Sequence, residues 1–256
     1  MSGIGRPVRQ GVGGFFEGVG FFFKGLGWTA RYPRWWLFGL IPALIAFVLY
    51  VVALIWLGTN AGDIAAWMTP FADDWSWQGL FRTLIGIVIF VAGLVLSVVT
   101  FAAVTLAIGG PFYDKLSEKV EESMGGVPND DTPFWQALFR SIRDSIVTLI
   151  LVLMFTIPLF ILGFVPVIGQ TVVPVLGAAV SGFFLTVELT ALAMERRRIQ
   201  RKARFAILRA NKGLALGFGV AVFLTFLIPF AAVLTMPGAV AGAALLVRVR
   251  LTPEVR

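Results

Sequence analysis

Two side chains are missing altogether: the sequence contains no cysteine and no histidine. Without cysteine there is no disulfide, no thiol nucleophile and no redox clue. Without histidine the usual general base near neutral pH and the commonest metal ligand are gone. There is also no GxxxxGK[ST] loop, so nothing points to ATP hydrolysis. No enzyme activity, cofactor or metal site is read from these residues. Charge is scarce as well. Asp, Glu, Lys and Arg make up 14% of the 256 residues, against about 25% in an ordinary soluble domain. A chain this poor in charge cannot cover a water-facing surface. Residues 1–24 are rich in glycine and phenylalanine with charges interspersed, which is not the pattern of a cleavable signal.

What remains is apolar, at 58% of the chain, and it is gathered into long blocks. Residues 37–62, 84–110, 145–187 and 213–247 carry no charge. A bilayer core needs roughly 20 apolar residues of helix, and each block reaches that length. The fold class is therefore all-α and integral to a membrane. The net charge of +7 is read as basic cytoplasmic loops and not as a nucleic-acid surface.

Residues 9–26 read as an N-terminal interfacial helix. Phe15, Phe16, Val19, Phe22, Phe23 and Leu26 fall at helical spacing, interrupted by Arg9, Glu17 and Lys24, as in a helix lying on a membrane. Gly13, Gly14, Gly18 and Gly20 work against it, at about 1 kcal/mol each. Two spanning helices follow, 35–58 and 80–110. Tyr32, Trp35 and Trp36 mark headgroup depth at the start of the first. The connection 59–79 is acidic, with Asp63, Asp73 and Asp74. Pro111 is expected to kink or restart the second helix, whose polar extension continues through Glu122. Residues 125–131 read as a loop, with Thr132 capping a helix that starts at Pro133.

The two remaining blocks are resolved by length. Residues 145–193 are broken by Pro166 and Gly169 and form a helical hairpin, with Pro158 and Pro174 allowing it to be bent. Residues 213–247 are too long for one crossing. Split near Pro237 they give arms of about 20 and about 10 residues, the second too short to span. This hairpin is expected to enter the membrane only partway. Backbone that turns there must be buried in protein or line a wet cavity. The segment between the hairpins, 195–212, is a basic cytoplasmic stretch with eight Lys and Arg residues from Arg196 to Lys212. Such a run binds anionic lipid headgroups and sets topology. With Arg6, Arg9, Lys24, Arg31, Arg34, Arg248 and Arg250 it falls on one side, which places both termini in the cytoplasm.

Four stretches carry a family resemblance: Gly25-Leu26 leading through Pro33 to Ile41-Pro42; Gly110-Pro-Phe-Tyr-Asp-Lys-Leu-Ser-Glu-Lys-Val120; Pro166-Val-Ile-Gly-Gln170; and Ile228-Pro229 with Pro237 and Val240-Ala-Gly-Ala243. In order and spacing they resemble the CysZ-type sulfate permeases of bacterial inner membranes. The resemblance implies sulfate entry for assimilation into cysteine. It also implies two true spanning helices with two partly inserted hairpins, assembled as a homo-oligomer. Family members are also associated with subunits in opposite orientations, whereas the charge bias here favours one. A Gly-Leu-Arg motif and neighbouring arginines are implied to bind sulfate. This sequence reads Gly25-Leu26-Gly27, so Arg31 and Arg34 are the nearest arginines to serve.

A sulfate dianion needs charge-assisted donors and backbone N–H groups. Gly25, Leu26, Gly27, Arg31 and Arg34 are therefore the candidate substrate site; the plainer reading is a set of membrane-boundary anchors. Glu188, the one acidic residue at the edge of an apolar block, is a candidate for carrying a proton or pairing with an arginine. Asp114, Glu118 and Glu121 are read as structural. The expected partners are sulfate or a related oxyanion, membrane lipids and further copies of the chain. The competing reading is a membrane scaffold that organises lipids or partners without transport.

Overall fold

A computed structural model describes residues 11–126 and 134–252, and every regular element among them is helical. In chain order these are α1 (Val12–Arg31), α2 (Pro33–Met68), α3 (Gln78–Glu122), α4 (Phe134–Leu162), α5 (Ile168–Glu195), α6 (Arg201–Ala210), α7 (Lys212–Phe226) and α8 (Pro229–Leu246). A 3₁₀ turn, Pro70–Ala72, precedes α3, and a π-helical turn, Val247–Leu251, follows α8. The described residues fall into two units, Leu40–Pro111 on the one hand and Met1–Gly39 with Phe112–Arg256 on the other. The loop expected at 127–131, the cap at Thr132 and the start at Pro133 lie outside the described residues, as does Arg9.

Within Leu40–Pro111, α2 and α3 run antiparallel. Tyr50 pairs with Thr100 through their hydroxyls at 2.6 Å, Gly58 faces Phe90, and Gly86 faces Ala61. The pairing needs small residues where the helices approach, and Ala46, Ala61 and Ala65 are buried. The outer faces are apolar and bare. Leu44, Phe47, Val88, Leu96 and Val99 are each more than half exposed. Left in water, each would forgo about 1.5–3 kcal/mol of burial; hydrocarbon removes that penalty. At the tip, Trp75 stacks on Trp77 at 4.7 Å and both contact Phe81, an aromatic girdle of the type found at headgroup depth. Arg82 folds back to pair with Asp73 and to donate to the Thr69 carbonyl at 3.2 Å.

Both long helices outrun the spans expected from hydropathy. Instead of stopping near residue 58, α2 continues to Met68, because Thr59 and Asn60 turn their side chains back onto the Trp56 carbonyl at 2.9 and 2.8 Å. The polar extension of α3 is helical to Glu122, and the helix passes through Pro111 without a break.

The second unit is organised around α1, α7 and α8. The glycines that argued against a helix at the N-terminus are the ones that let it pack. A methyl group on Gly18 would collide with the Leu214 carbonyl and the Phe218 amide, and one on Gly25 with the Gly238 and Gly242 backbone. Phe21 and Phe22 are 2% exposed and enter the core with Leu214, Phe218 and Val240. A ring pair of this kind contributes several kcal/mol through burial alone. The next crossing, α5 on α7, brings Gly182 against Gly219, with the Thr186 hydroxyl donating to the Ala215 carbonyl at 2.7 Å. An ion pair between Glu17 and Arg250 ties α1 to the π-helical turn.

One expected break is displaced. The last apolar block turns at Leu227–Ile228 and not at Pro237, so its arms are 15 and 18 residues. Ile228 takes an extended conformation and α8 opens on Pro229, as the residue before a proline prefers. Pro237 lies inside α8, with its ring against Gly39. The basic stretch 195–212 is not a plain connection either: it contains α6, which meets α7 at 98°. By length and composition four helices could cross a membrane: α2, 78–101 of α3, α5 and 230–251. The last is 72% buried in its own unit, against 11% and 6% for the first two. Its hydrophobicity thus serves the protein core more than lipid.

Candidate anion-binding site

The chain bends between α1 and α2 at Tyr32-Pro33. The first helix ends because Pro33 has no N–H to continue it, and its closing amide, Tyr32 N–H, donates to the Trp28 and Thr29 carbonyls at 3.1 and 3.2 Å. The bend is fixed by its neighbours. Trp36 donates from Nε1 to the Leu234 carbonyl at 3.1 Å, the Trp35 ring sits 5.6 Å from the Lys119 ammonium, and Phe38 packs on Phe112. Thr29 turns its hydroxyl onto the Leu26 carbonyl at 2.9 Å.

On this rigid base Arg31 and Arg34 are exposed, and neither has a hydrogen-bond or ion-pair partner among the described residues. Arg31 occupies the last turn of α1, where the carbonyl end of the helix favours a cation. Four residues earlier, on the same face, Gly27 is exposed, and a Cβ there would meet nothing within 4 Å. Gly25 and Leu26 are placed differently. Gly25 is buried against α8, and Leu26 lies against Gly238. They hold the helix in position, and their amides lie inside α1. The candidate site is thus two guanidinium groups with no partner among the described residues, beside an open face, with Gly25 and Leu26 packed behind them.

Glu188 projects from the exposed side of α5 into a small recess of about 100 Å³. Asp144, Thr148, Glu195, Arg201 and Arg204 line the same recess. Arg204 is 4% exposed and donates to Asp144 at 2.6 Å and to Glu195 at 2.7 Å. Arg201 approaches Asp144 at 3.6 Å. The two arginines thus pair with Asp144 and Glu195, and Glu188 shares the recess with them.

A second network holds the polar end of α3. Arg196 donates to Asp114 at 2.6 Å, to Ser117 and to Glu121 at 3.5 Å. Arg197, fully buried, pairs with the almost fully buried Glu121 at 2.9 Å. Breaking a buried pair of this kind costs about 3–5 kcal/mol, so this is a lock and not a free anion site. Beside it the Tyr113 side chain is buried without a hydrogen-bond partner among the described residues, and burial pushes its phenol up to about 12. Asp114, Ser117 and Glu121 share one face of α3 at helical spacing, a signal readable in the sequence. That Arg196 and Arg197 answer it was hidden within the basic run. Among the described residues no group of three or more Asp or Glu could hold a metal ion.

The family model described as "Sulfate transporter CysZ/Etoposide-induced protein 2.4" matches residues 21–237. The chain is similar to a protein named sulfate transporter CysZ from Pseudomonas fluorescens, 28% identical over 221 residues, covering 82% of this chain and 84% of the relative. A protein of the same name from Pseudomonas paraeruginosa is 30% identical over 217 residues, covering 82% and 85%. Another, from Vibrio parahaemolyticus, is 32% identical over 146 residues, covering 56% and 59%.

Proposed function

The chain belongs to the sulfate transporter CysZ/etoposide-induced protein 2.4 family, and we propose that it carries sulfate or a related oxyanion across the bacterial cytoplasmic membrane. In this reading it works without ATP hydrolysis and feeds assimilation. The observation that carries the proposal is the pair of exposed arginines, Arg31 and Arg34, without a partner among the described residues, at a bend contacted by Leu234, Lys119 and Phe112. A dianion there meets two charge-assisted donors at no cost in broken ion pairs. Gly25 and Leu26 support the bend, and the open face at Gly27 admits the ligand.

The same proposal assigns the remaining parts. Both termini and α6 lie on the cytoplasmic side, following the charge bias. The hairpins α4–α5 and α7–α8 insert partway, and copies of the chain assemble so that their turns are not left against lipid. Glu188 works within the recess it shares with Arg204, as an ion-pair or proton-handling group.

The test is sulfate flux into liposomes that hold only this protein. Wild type is expected to show saturable uptake. Arg31→Ala with Arg34→Ala is expected to abolish it while the protein still inserts. Uptake unchanged by the double substitution would remove this site. Absence of both flux and sulfate binding in wild type would leave the scaffold reading in its place.

A further inference from the structure

The bend between α6 and α7 covers a recess of about 650 Å³, within the range of small-molecule sites, that the anion site does not use. Its walls are apolar. Leu151 and Phe155 come from α4, Phe183 and Phe184 from α5, Phe205 from α6 and Leu216 from α7. Three of the rings form a continuous face, with centroids 6.1 to 6.3 Å apart from Phe155 through Phe184 to Phe205.

The remaining lining is cationic. Arg201, Lys202 and Arg209 from α6 and Lys212 from the start of α7 border the recess, and among the described residues no carboxylate does. Arg201 is shared with Asp144 at 3.6 Å. The other three are exposed, with no ion-pair or hydrogen-bond partner among the described residues. On α6, Lys202, Ala206 and Arg209 follow helical spacing, so the helix turns charge and a small residue toward one side. The lining thus divides into apolar walls from α4, α5, α6 and α7 and a cationic border from α6 and the start of α7, which meet at 98°.

This division matches one chemistry. A free oxyanion would use the cations and leave the phenylalanine walls exposed. A neutral lipid would use the walls and leave three cations unpaired. An anionic amphiphile uses both. We propose that the recess under α6 binds a phospholipid with an anionic headgroup, its phosphate held by Lys202, Arg209 and Lys212 and an acyl chain lying along Phe155, Phe184 and Phe205. This goes beyond the attraction that any basic stretch has for a negative surface, because it specifies a slot and a stoichiometry.

The experiment titrates delipidated full-length protein with phosphatidylglycerol and, separately, with phosphatidylcholine, reading bound lipid by native mass spectrometry. Wild type is expected to hold one phosphatidylglycerol in preference to phosphatidylcholine. A basic residue beside an anionic headgroup is worth about a fivefold change in affinity. Lys202→Ala with Arg209→Ala and Lys212→Ala is therefore expected to lower phosphatidylglycerol affinity on the order of 100-fold and to erase the preference. Ala206→Trp, which fills the slot and keeps the cations, is expected to weaken both lipids. Retained preference in the triple variant, or no effect of Ala206→Trp, overturns the proposal. Displacement of phosphatidylglycerol by millimolar inorganic phosphate or sulfate also overturns it, since the cations would then serve a free anion. A measurement on wild type alone guards against misfolded variants. Phosphatidylglycerol with a photoreactive acyl chain is expected to label the peptides holding Phe155 and Phe205, and labelling confined to other peptides refutes the site.

Discussion

Replacing Gly27 by arginine tests the anion site from the constructive side. The position is exposed, and a Cβ there meets nothing within 4 Å, so the new side chain displaces no neighbour. Inside α1, glycine costs about 0.8 kcal/mol relative to arginine. The new cation faces Arg31 four residues on, which returns about 0.2–0.5 kcal/mol of repulsion. Without an anion the variant should therefore be slightly more stable, by roughly 0.3–0.6 kcal/mol. With sulfate bound, a third charge-assisted donor is available. Such a bond contributes about 1.5–3 kcal/mol when shielded, and close to 1 kcal/mol at an exposed position. Sulfate affinity should rise about fivefold. Thermal unfolding with and without sulfate, together with calorimetric titration, reads both effects. A lower melting temperature without sulfate would contradict the open face at Gly27. A stable variant with unchanged sulfate affinity would show that this face of α1 lies outside the site.

Three further outcomes follow from the networks around it. Glu121→Gln strips the charge from the buried partner of Arg197, and urea unfolding should show a loss on the order of 3 kcal/mol; a loss below about 1 kcal/mol would mean the pair is hydrated and not locked. Glu188→Gln should abolish any pH dependence of sulfate uptake if this carboxyl handles a proton, whereas uptake that keeps the wild-type pH profile rules that role out and leaves ion pairing. Tyr113 holds its proton up to about pH 12 in the folded protein against an ordinary value of 10, so the folded state binds the proton more tightly than the unfolded one. Its stabilising share is complete below pH 10 and is lost as pH rises from 10 toward 12. Tyr113→Phe should remove that part of the alkaline unfolding curve, and an unaltered curve would show that the phenol is solvated.

The helices were legible where local spacing carries them. Charge-free blocks announced α2, α3, α5 and α7–α8, and the Lys–Glu pairs from Lys115 to Glu122, three residues apart in the structure, announced the polar end of α3. Proline was an uneven guide to breaks: Pro166 stands between α4 and α5 as expected. Pro42, Pro111, Pro158, Pro174 and Pro237 all sit inside helices, while Pro33, Pro70 and Pro229 stand at the start of elements. Pro229 and Pro237 share one charge-free block, residues 213–247, so hydropathy does not tell them apart. What separates Pro229 from Pro237 is the conformation of the preceding residue and the Gly39 backbone against the Pro237 ring, both tertiary facts. The candidate site was half legible. Arg31 and Arg34 stood out beside a boundary rich in tryptophan, but the packing of Gly25 and Leu26 against Gly238 and Gly242 joins residues far apart in sequence, which no local pattern shows. The Arg196–Asp114 and Arg204–Asp144 pairs join residues 82 and 60 positions apart, and no local pattern discloses them.

The crossing of α1 with α7 and α8 governs the order in which the protein can be made. The helix α1 is synthesised before α7 and α8, and the helices that cover Phe21 and Phe22 follow roughly 180 residues later. At 5–20 residues per second, that interval is about 10–40 s. Throughout it, a helix with an aromatic face and glycine notches has no protein partner. A membrane surface can shelter such a face in the meantime. Until α7 and α8 are made, Phe21 and Phe22 lack the helices that bury them, and a delay in making those helices prolongs that exposure.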